Sequence, residues 1–325
     1  MTLILNQKDV AQVLSMKDCI RAVENAFIEF DGGSTIQPLR TNITTEKGIT
    51  LIMPAYVGNM KALACKVVTV FKDNPQKFGM PVILGKVLLL DAASGEVICI
   101  MDGGYLTAVR TGAASGVATK YLARDEKGMS LGIIGSGVQA KMQIAAIAEV
   151  RNIQRVLIYD ISKKTAEKFV KELEPDFDLK FEIKGHADEV LQSDIICTAT
   201  SSSIPVFDGK KVRPGTHING IGSHTPDSRE LDSAVIVKSK FVGDSKEACF
   251  KEAGDFIIPL KTKEITAAHF YAELGTIISG KKDGRISDDE ITVFKSNGLA
   301  IQDAATAKLV YEKAIQKGIG RSVEF

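Results

Sequence analysis

Apolar and polar positions change period along this chain. In MKDCIRAVENAFIEF (16 to 30), Ile20, Val23, Ala26, Phe27 and Phe30 recur at helical spacing, which predicts an amphipathic helix stopped by Gly32 and Gly33. Four strand-like runs follow: ITLIMPAYV (49 to 57), LACKVVTVF (63 to 71), VILGKVLLLDA (82 to 92) and GEVICIMDG (95 to 103). DAASG between the last two is a turn signal, so they are expected to pair as an antiparallel hairpin. GAASGVATKYLA (112 to 123) reads as a small-residue helix that bridges two domains.

From residue 129 the rhythm becomes strand, helix, strand, helix: SLGIIG, QAKMQIAAIAEV, RVLIYD, SKKTAEKFVKEL. IICTAT (195 to 200), THINGIG (216 to 222) and KFVGDS (240 to 245) are further buried-strand candidates. Such alternation predicts a doubly wound parallel sheet. Past residue 298, LAIQDAATAKLVYEKAIQKG carries Ile301, Ala304, Ala305, Leu309 and Val310 on one stripe, a helix expected to return to the first domain. The expected fold class is therefore α/β. Residues 121 to 298 would form the parallel sheet, and residues 1 to 120 with 299 to 325 an α+β, mostly antiparallel domain.

Composition narrows the function classes. The chain has 325 residues, with 41 Lys and Arg against 40 Asp and Glu, for a net charge of +1. The basic residues are dispersed, so neither a nucleic acid nor a membrane surface is an expected partner. The N-terminal MTLIL is too short an apolar run for a signal peptide, and no run approaches a membrane span. Five scattered cysteines and four histidines show no metal-ligand spacing, so no metal is expected. Reduced thiols in the cytoplasm fit that pattern.

The strongest local motif is Gly135-Ser-Gly137-Val138-Gln139-Ala140, directly after an apolar strand and opening a helix. Gly135 permits the tight turn, Gly137 lets backbone approach a pyrophosphate at the helix N-terminus, and Ala140 keeps helix and strand close. Asp160, at the end of RVLIYD, stands about 20 residues further on, where an acid accepts the ribose hydroxyls of NAD and repels the 2′-phosphate of NADP. Lys163 and Lys164 soften that exclusion, so NADP stays open beside NAD. This is the pattern of a Rossmann dinucleotide fold. Thr198 and Thr200 end a strand of the same sheet and read either as dinucleotide neighbours or as ordinary β-branched strand residues.

A substrate carboxylate beside a nicotinamide calls for arginine. Arg40 in QPLRTNI and Arg110 in LTAVRTGAA are the candidates, with surface or structural roles as the alternative. Arg110 is expected to open the small-residue helix, where backbone N–H groups would add to its anion affinity. Lys66, inside LACKVVTVF, either faces solvent or points inward, where burial would draw its pKa into an acid/base range. Asp303 reads as a helix-dipole residue at the start of the last helix. The loop GIGSHTPDSRELD (220 to 232) concentrates His224, Asp227, Arg229, Glu230 and Asp232 after a strand end. Its first half reads as part of a site, and Arg229, Glu230 and Asp232 as its solvated exit.

Taken together, LACKV, VRTGAASG, IGSGVQA with LIYD, INGIGSHTPDSRELD and SNGLAIQDAATA resemble the ornithine cyclodeaminase/mu-crystallin family nearly end to end. The look is closest to its archaeal alanine dehydrogenase and ketimine reductase branches. The resemblance implies a homodimer joined through the antiparallel domain and NAD(P)-dependent hydride transfer at the α-carbon of a small amino or imino acid. It implies Arg40, Lys66 and Arg110 for the substrate. Arg110, Thr111, Gly135, Gly137, Val138, Gln139, Asp160, Thr198, Thr200, Ile221, Gly222, Ser223 and Ser296 are implied around the dinucleotide. Lys66, His224 and Asp227 are the implied catalytic groups. Two further activities occur in the family: redox-neutral conversion of ornithine to proline with catalytic NAD, and ligand binding without turnover. His224 stands where cyclodeaminases carry an acid, and Val82 where they carry a threonine, which favours imine reduction or amino-acid dehydrogenation over ring-closing deamination.

Overall fold

A computed structural model describes residues 1 to 324. The chain divides into two compact units, residues 1 to 110 with 299 to 325, and residues 111 to 298. The division falls inside the 20-residue helix Gly103–Leu122, between Arg110 and Thr111, rather than at that helix's end.

The first unit is built on an eight-stranded sheet. Its spine is a meander of Ile49–Val57, Ala62–Val70, Ile83–Leu90 and Val97–Asp102, each antiparallel to the next. Asp91 accepts from the N–H groups of Ala93 and Ser94 and so closes the DAASG turn. The N-terminal strand Thr2–Leu5 pairs parallel to Val97–Asp102 and antiparallel to Arg321–Val323, two pairings that no local turn signal announces. Along Ala62–Val70 the period of two puts Ala62, Ala64 and Lys66 on the buried side. The helices Met16–Asp31 and Ala300–Lys317 pack with this sheet, and Thr306 touches the buried Cys19 thiol at 3.6 Å.

The second unit is an eight-stranded parallel sheet in the order Lys180–Ile183, Ile153–Tyr159, Met129–Ile134, Ile195–Thr198, His217–Gly220, Thr292–Lys295, Lys240–Gly243, Phe270–Glu273. Two apolar cores flank it. One gathers Leu131, Ile133, Ile144, Ile158 and Phe169, and the other Ile196, Ile218, Phe241, Phe256 and Val293. Burial on both faces explains why these strands read as continuous apolar runs rather than alternating ones. No helix among the described residues is long and apolar enough to cross a membrane.

Candidate active site

In the first unit, three charged side chains that lie far apart in sequence meet in the interior. Lys66 Nζ lies 2.6 Å from Asp303 Oδ2, with both side chains almost fully buried. Arg110 Nε donates to Asp303 Oδ1 at 3.0 Å, and Arg110 Nη1 donates to the Gln302 side-chain oxygen at 2.7 Å. One carboxylate thus bridges two cations. The strand Ala62–Val70 supplies the lysine from its buried face, and the first turn of Ala300–Lys317 supplies Asp303. The Ile301 N–H in that first turn donates to Gln37.

Burial draws the Lys66 ammonium down to about 8. Asp303 opposes the shift, but Arg110 shares that carboxylate and repels the lysine, and Arg40 adds to the repulsion. Burial prevails because the one counter-charge is divided between two cations. Lys66 therefore points inward. Arg110 lies in the middle of its helix rather than at the start, which is Gly103. Backbone N–H groups at that depth are engaged within the helix, so the guanidinium alone carries the anion affinity. Arg40 is half-buried in the segment before the strand Thr41–Thr44. Asp303 exceeds its helix-dipole reading, since it holds Lys66 and Arg110 together.

In the second unit, the glycine turn and strand ends expected to surround a dinucleotide gather along the carboxyl edge of the parallel sheet. Gly135 follows the strand Met129–Ile134 with φ of +103°, and a side chain there would strike the Ala199 carbonyl at 2.5 Å. A Cβ on Gly137 would meet open space. Gly137 is the N-cap of the helix Val138–Val150, no side chain caps that end, and Val138 is exposed. Unpaired N–H groups at an open helix start suit a pyrophosphate.

Asp160 follows the second strand and is half-buried. It accepts from Ser136 Oγ at 2.6 Å and from the Ser162 N–H at 2.8 Å, which fixes its carboxylate beside the glycine turn. Thr198, Thr200, Ile221, Gly222 and Ser223 continue the same edge, and the Ser296 N–H donates to the Gly220 carbonyl at 3.2 Å. These residues fit a dinucleotide.

The loop after His217–Gly220 differs from expectation in its second half. His224 and Asp227 are exposed, whereas Glu230 is fully buried. Asp232 caps the helix Ser233–Lys238 through the Val235 N–H and accepts from the Gly209 N–H. Arg229 donates to Ser233 Oγ. The supposed solvated exit is thus structural. Lys295 and Asp255, equally buried, contact each other at 2.8 Å and were not singled out in the sequence. Lys295 ends TVFK, a four-residue strand where a lysine after two apolar residues was the only available signal.

A Rossmann sheet with a dinucleotide turn at its carboxyl edge, in a chain whose first unit buries an acid among cations, defines an NAD(P)-dependent oxidoreductase. The chain belongs to the ornithine cyclodeaminase/mu-crystallin family, whose model matches residues 1 to 318. It is 41% identical over 327 residues to a Delta(1)-pyrroline-2-carboxylate reductase of Bacillus cereus, covering 99% of this chain and 100% of that one. The solved Delta(1)-pyrroline-2-carboxylate reductase of Thermococcus litoralis, in complex with NADH and L-proline, is similar at 47% identity and a TM-score of 0.95, with 99% and 100% of the two chains covered. An archaeal alanine dehydrogenase dimer with bound NAD is similar at 38% identity and a TM-score of 0.94, with 100% and 99% covered.

Proposed function

We propose that this chain reduces the cyclic imine Δ1-pyrroline-2-carboxylate to proline with NADH. The buried Lys66–Asp303–Arg110 cluster is the observation that carries the reading, supported by 47% identity to a reductase solved with NADH and L-proline. Bound NADH supplies the hydride that the α-carbon receives. Arg110 and Arg40 hold the substrate carboxylate, which fixes the α-carbon and the ring nitrogen. Lys66, an ammonium at neutral pH, gives its proton to the nitrogen as the C=N bond is reduced. Asp303 keeps that ammonium in place. His224 and Asp227, on the exposed loop, are the alternative proton carriers.

Asp160 accepts the ribose hydroxyls and favours NAD over NADP. Thr111, Gly135, Gly137, Val138, Gln139, Thr198, Thr200, Ile221, Gly222, Ser223 and Ser296 form the dinucleotide's surroundings. The working form is a homodimer joined through the first unit. Ile43, Leu84 and Ile83 are exposed at one end of its sheet, and register places Thr44, Ile49, Val70 and Ile83 in one row. Phe78 and Met80, also exposed, lie between Ala62–Val70 and Ile83–Leu90 in the chain. The archaeal alanine dehydrogenase that this chain resembles is a dimer, which supports the oligomeric state, and an exposed apolar patch of this kind suits a protein contact. Free cysteines and an NADH requirement suit the cytoplasm.

The test is a comparison of kcat/KM for the five-membered cyclic imine, pyruvate with ammonia, and ornithine. The imine is expected to lead, and its kcat/KM to fall as pH rises through about 8, a fall that Lys66→Met abolishes and His224→Asn retains. Faster turnover of pyruvate with ammonia favours the alanine dehydrogenase reading. Proline formed from ornithine without net NADH favours cyclodeamination, and NADH binding with no turnover favours the ligand-binding one.

A further inference from the structure

The proton-transfer and carboxylate-binding roles above leave the buried acid Glu230 without a part. Glu230 is inaccessible to solvent, yet its two oxygens accept four hydrogen bonds from two separate loops of the second unit. Oε1 takes the Thr200 N–H and the Thr200 hydroxyl, both at 2.7 Å. Oε2 takes the Thr198 hydroxyl at 2.8 Å and the Gly222 N–H at 2.6 Å. Thr198 ends the strand Ile195–Thr198 and Thr200 lies two residues beyond it, and Gly222 follows the neighbouring strand His217–Gly220. A single carboxylate therefore ties together the ends of two adjacent parallel strands, at the edge where such sheets bind their ligands.

The surroundings are built for that carboxylate. A Cβ on Gly222 would strike the Thr200 carbonyl and lie 2.5 Å from Glu230 Oε1, so glycine is required for the two loops to close around the acid. Asp255 Oδ1 accepts the N–H groups of Glu230 and Leu231, each at 2.8 Å, and pins the backbone that carries the acid. Lys295 Nζ contacts Asp255 Oδ2 at 2.8 Å and donates to the Ser223 carbonyl at 2.5 Å, which extends the bracing to the next loop residue. Because Lys295 and Asp255 balance each other, Glu230 is the acid of this group whose replacement by an isosteric amide leaves an ion pair intact.

The tie also sets the polarity of the loop. The Thr200 hydroxyl proton points at Glu230, and its oxygen accepts the Ser202 N–H at 3.1 Å. What Thr200 offers outward is a lone pair, which suits a hydroxyl or amide donor on a ligand rather than a phosphate oxygen. We propose that Glu230 is a positioning residue for the dinucleotide, holding the Thr198–Thr200 and Gly222–Ser223 loops in one arrangement and presenting Thr200 as an acceptor. This inference rests on dinucleotide binding at this edge. Glutamine at 230 keeps one acceptor oxygen but turns an NH2 toward two donors. A hydroxyl rotates to accommodate it, and a backbone N–H cannot, so one loop loses its anchor.

The test is the Kd for NADH of wild type and Glu230→Gln, read by NADH fluorescence, beside the melting temperature of each protein without NADH. Wild type binds NADH, and the variant's Kd is expected to rise about tenfold, equivalent to about 1.4 kcal/mol, with a smaller NADH-induced rise in melting temperature. A Kd within twofold of wild type, whatever happens to the melting temperature of the free protein, overturns the positioning role. Absence of NADH binding by wild type would instead sink the cofactor reading beneath it. If Glu230→Gln does not fold, hydrogen exchange on wild type decides: segments 198 to 202 and 220 to 224 should gain protection together when NADH is added. Protection of neither, or of one alone, contradicts the tie.

Discussion

Replacing Lys66 by methionine should make this protein more stable and less active, with the stability gain confined to a defined pH window. Methionine keeps the unbranched stem and removes the charge. The lysine is almost fully buried and titrates near about 8 against an ordinary 10.5. At about 1.4 kcal/mol per pH unit, its charged form is disfavoured in the folded state by roughly 3 kcal/mol, with the attraction of Asp303 already included.

The sign follows from proton counting. Below pH 8 the folded and unfolded chains both carry the ammonium, and the folded chain bears the whole penalty. Between about 8 and 10.5 the folded chain has released the proton while the unfolded chain still holds it, so wild-type stability rises with pH. Above 10.5 the penalty is gone. Lys66→Met lacks this titration, so it should exceed wild type by up to about 3 kcal/mol at pH 7 and match it at the alkaline end.

Urea unfolding followed by circular dichroism, at fixed protein concentration across that range, measures the difference directly, since every other titrating group is common to both chains. Turnover of the cyclic imine should fall by at least about a hundredfold, the scale of losing one charge-assisted contact worth about 3 kcal/mol. A variant less stable than wild type at pH 7, or a stability difference that does not shrink with rising pH, refutes the reasoning.

Asp303→Asn leaves Lys66 and Arg110 buried without their shared counter-charge, and thermal or urea unfolding should register a loss of about 3 to 5 kcal/mol. Asp160→Ser removes the carboxylate that Ser136 and Ser162 hold in place. The kcat/KM ratio for NADPH over NADH should then rise by at least about tenfold, a relief of like-charge repulsion on the order of 1.4 kcal/mol. His217 is fully buried and held neutral, its pKa pushed down to about 3 by burial first and the Arg285 guanidinium second. The unfolded chain takes up that proton near 6.5, so the stability it contributes is complete above pH 6.5 and declines toward pH 3, by at most about 1.4 kcal/mol per pH unit. His217→Gln should flatten the acid limb of the stability profile relative to wild type.

What the sequence reveals here tracks how local the deciding contact is. The strand Ile49–Val57 and the Val97–Asp102 hairpin partner are legible because their period and turn lie within a few residues of each other. The Gly135 turn is legible because a tight turn and an open helix start each restrict residue type at fixed spacing. Lys66 could not be oriented from its own strand, since Asp303, which draws it inward, is remote in sequence. Asp303 looked like a dipole residue for the same reason. Glu230 was hidden by its setting. A polar loop looks solvated until tertiary contact shows that its acid accepts N–H and O–H donors from Thr198, Thr200 and Gly222. Thr2–Leu5 escaped because its parallel pairing to Val97–Asp102 depends on residues about 95 positions away.

The measurement that bears most directly on the central claim is the fate of a labelled hydride. Δ1-Pyrroline-2-carboxylate would be turned over with NADH carrying deuterium at both C4 positions, and the proline examined by mass spectrometry and NMR. Hydride transfer at the α-carbon predicts one deuterium per proline, located at Cα, with one NADH consumed for each proline formed. Unlabelled proline, label at any other carbon, or no consumption of NADH with this imine contradicts it.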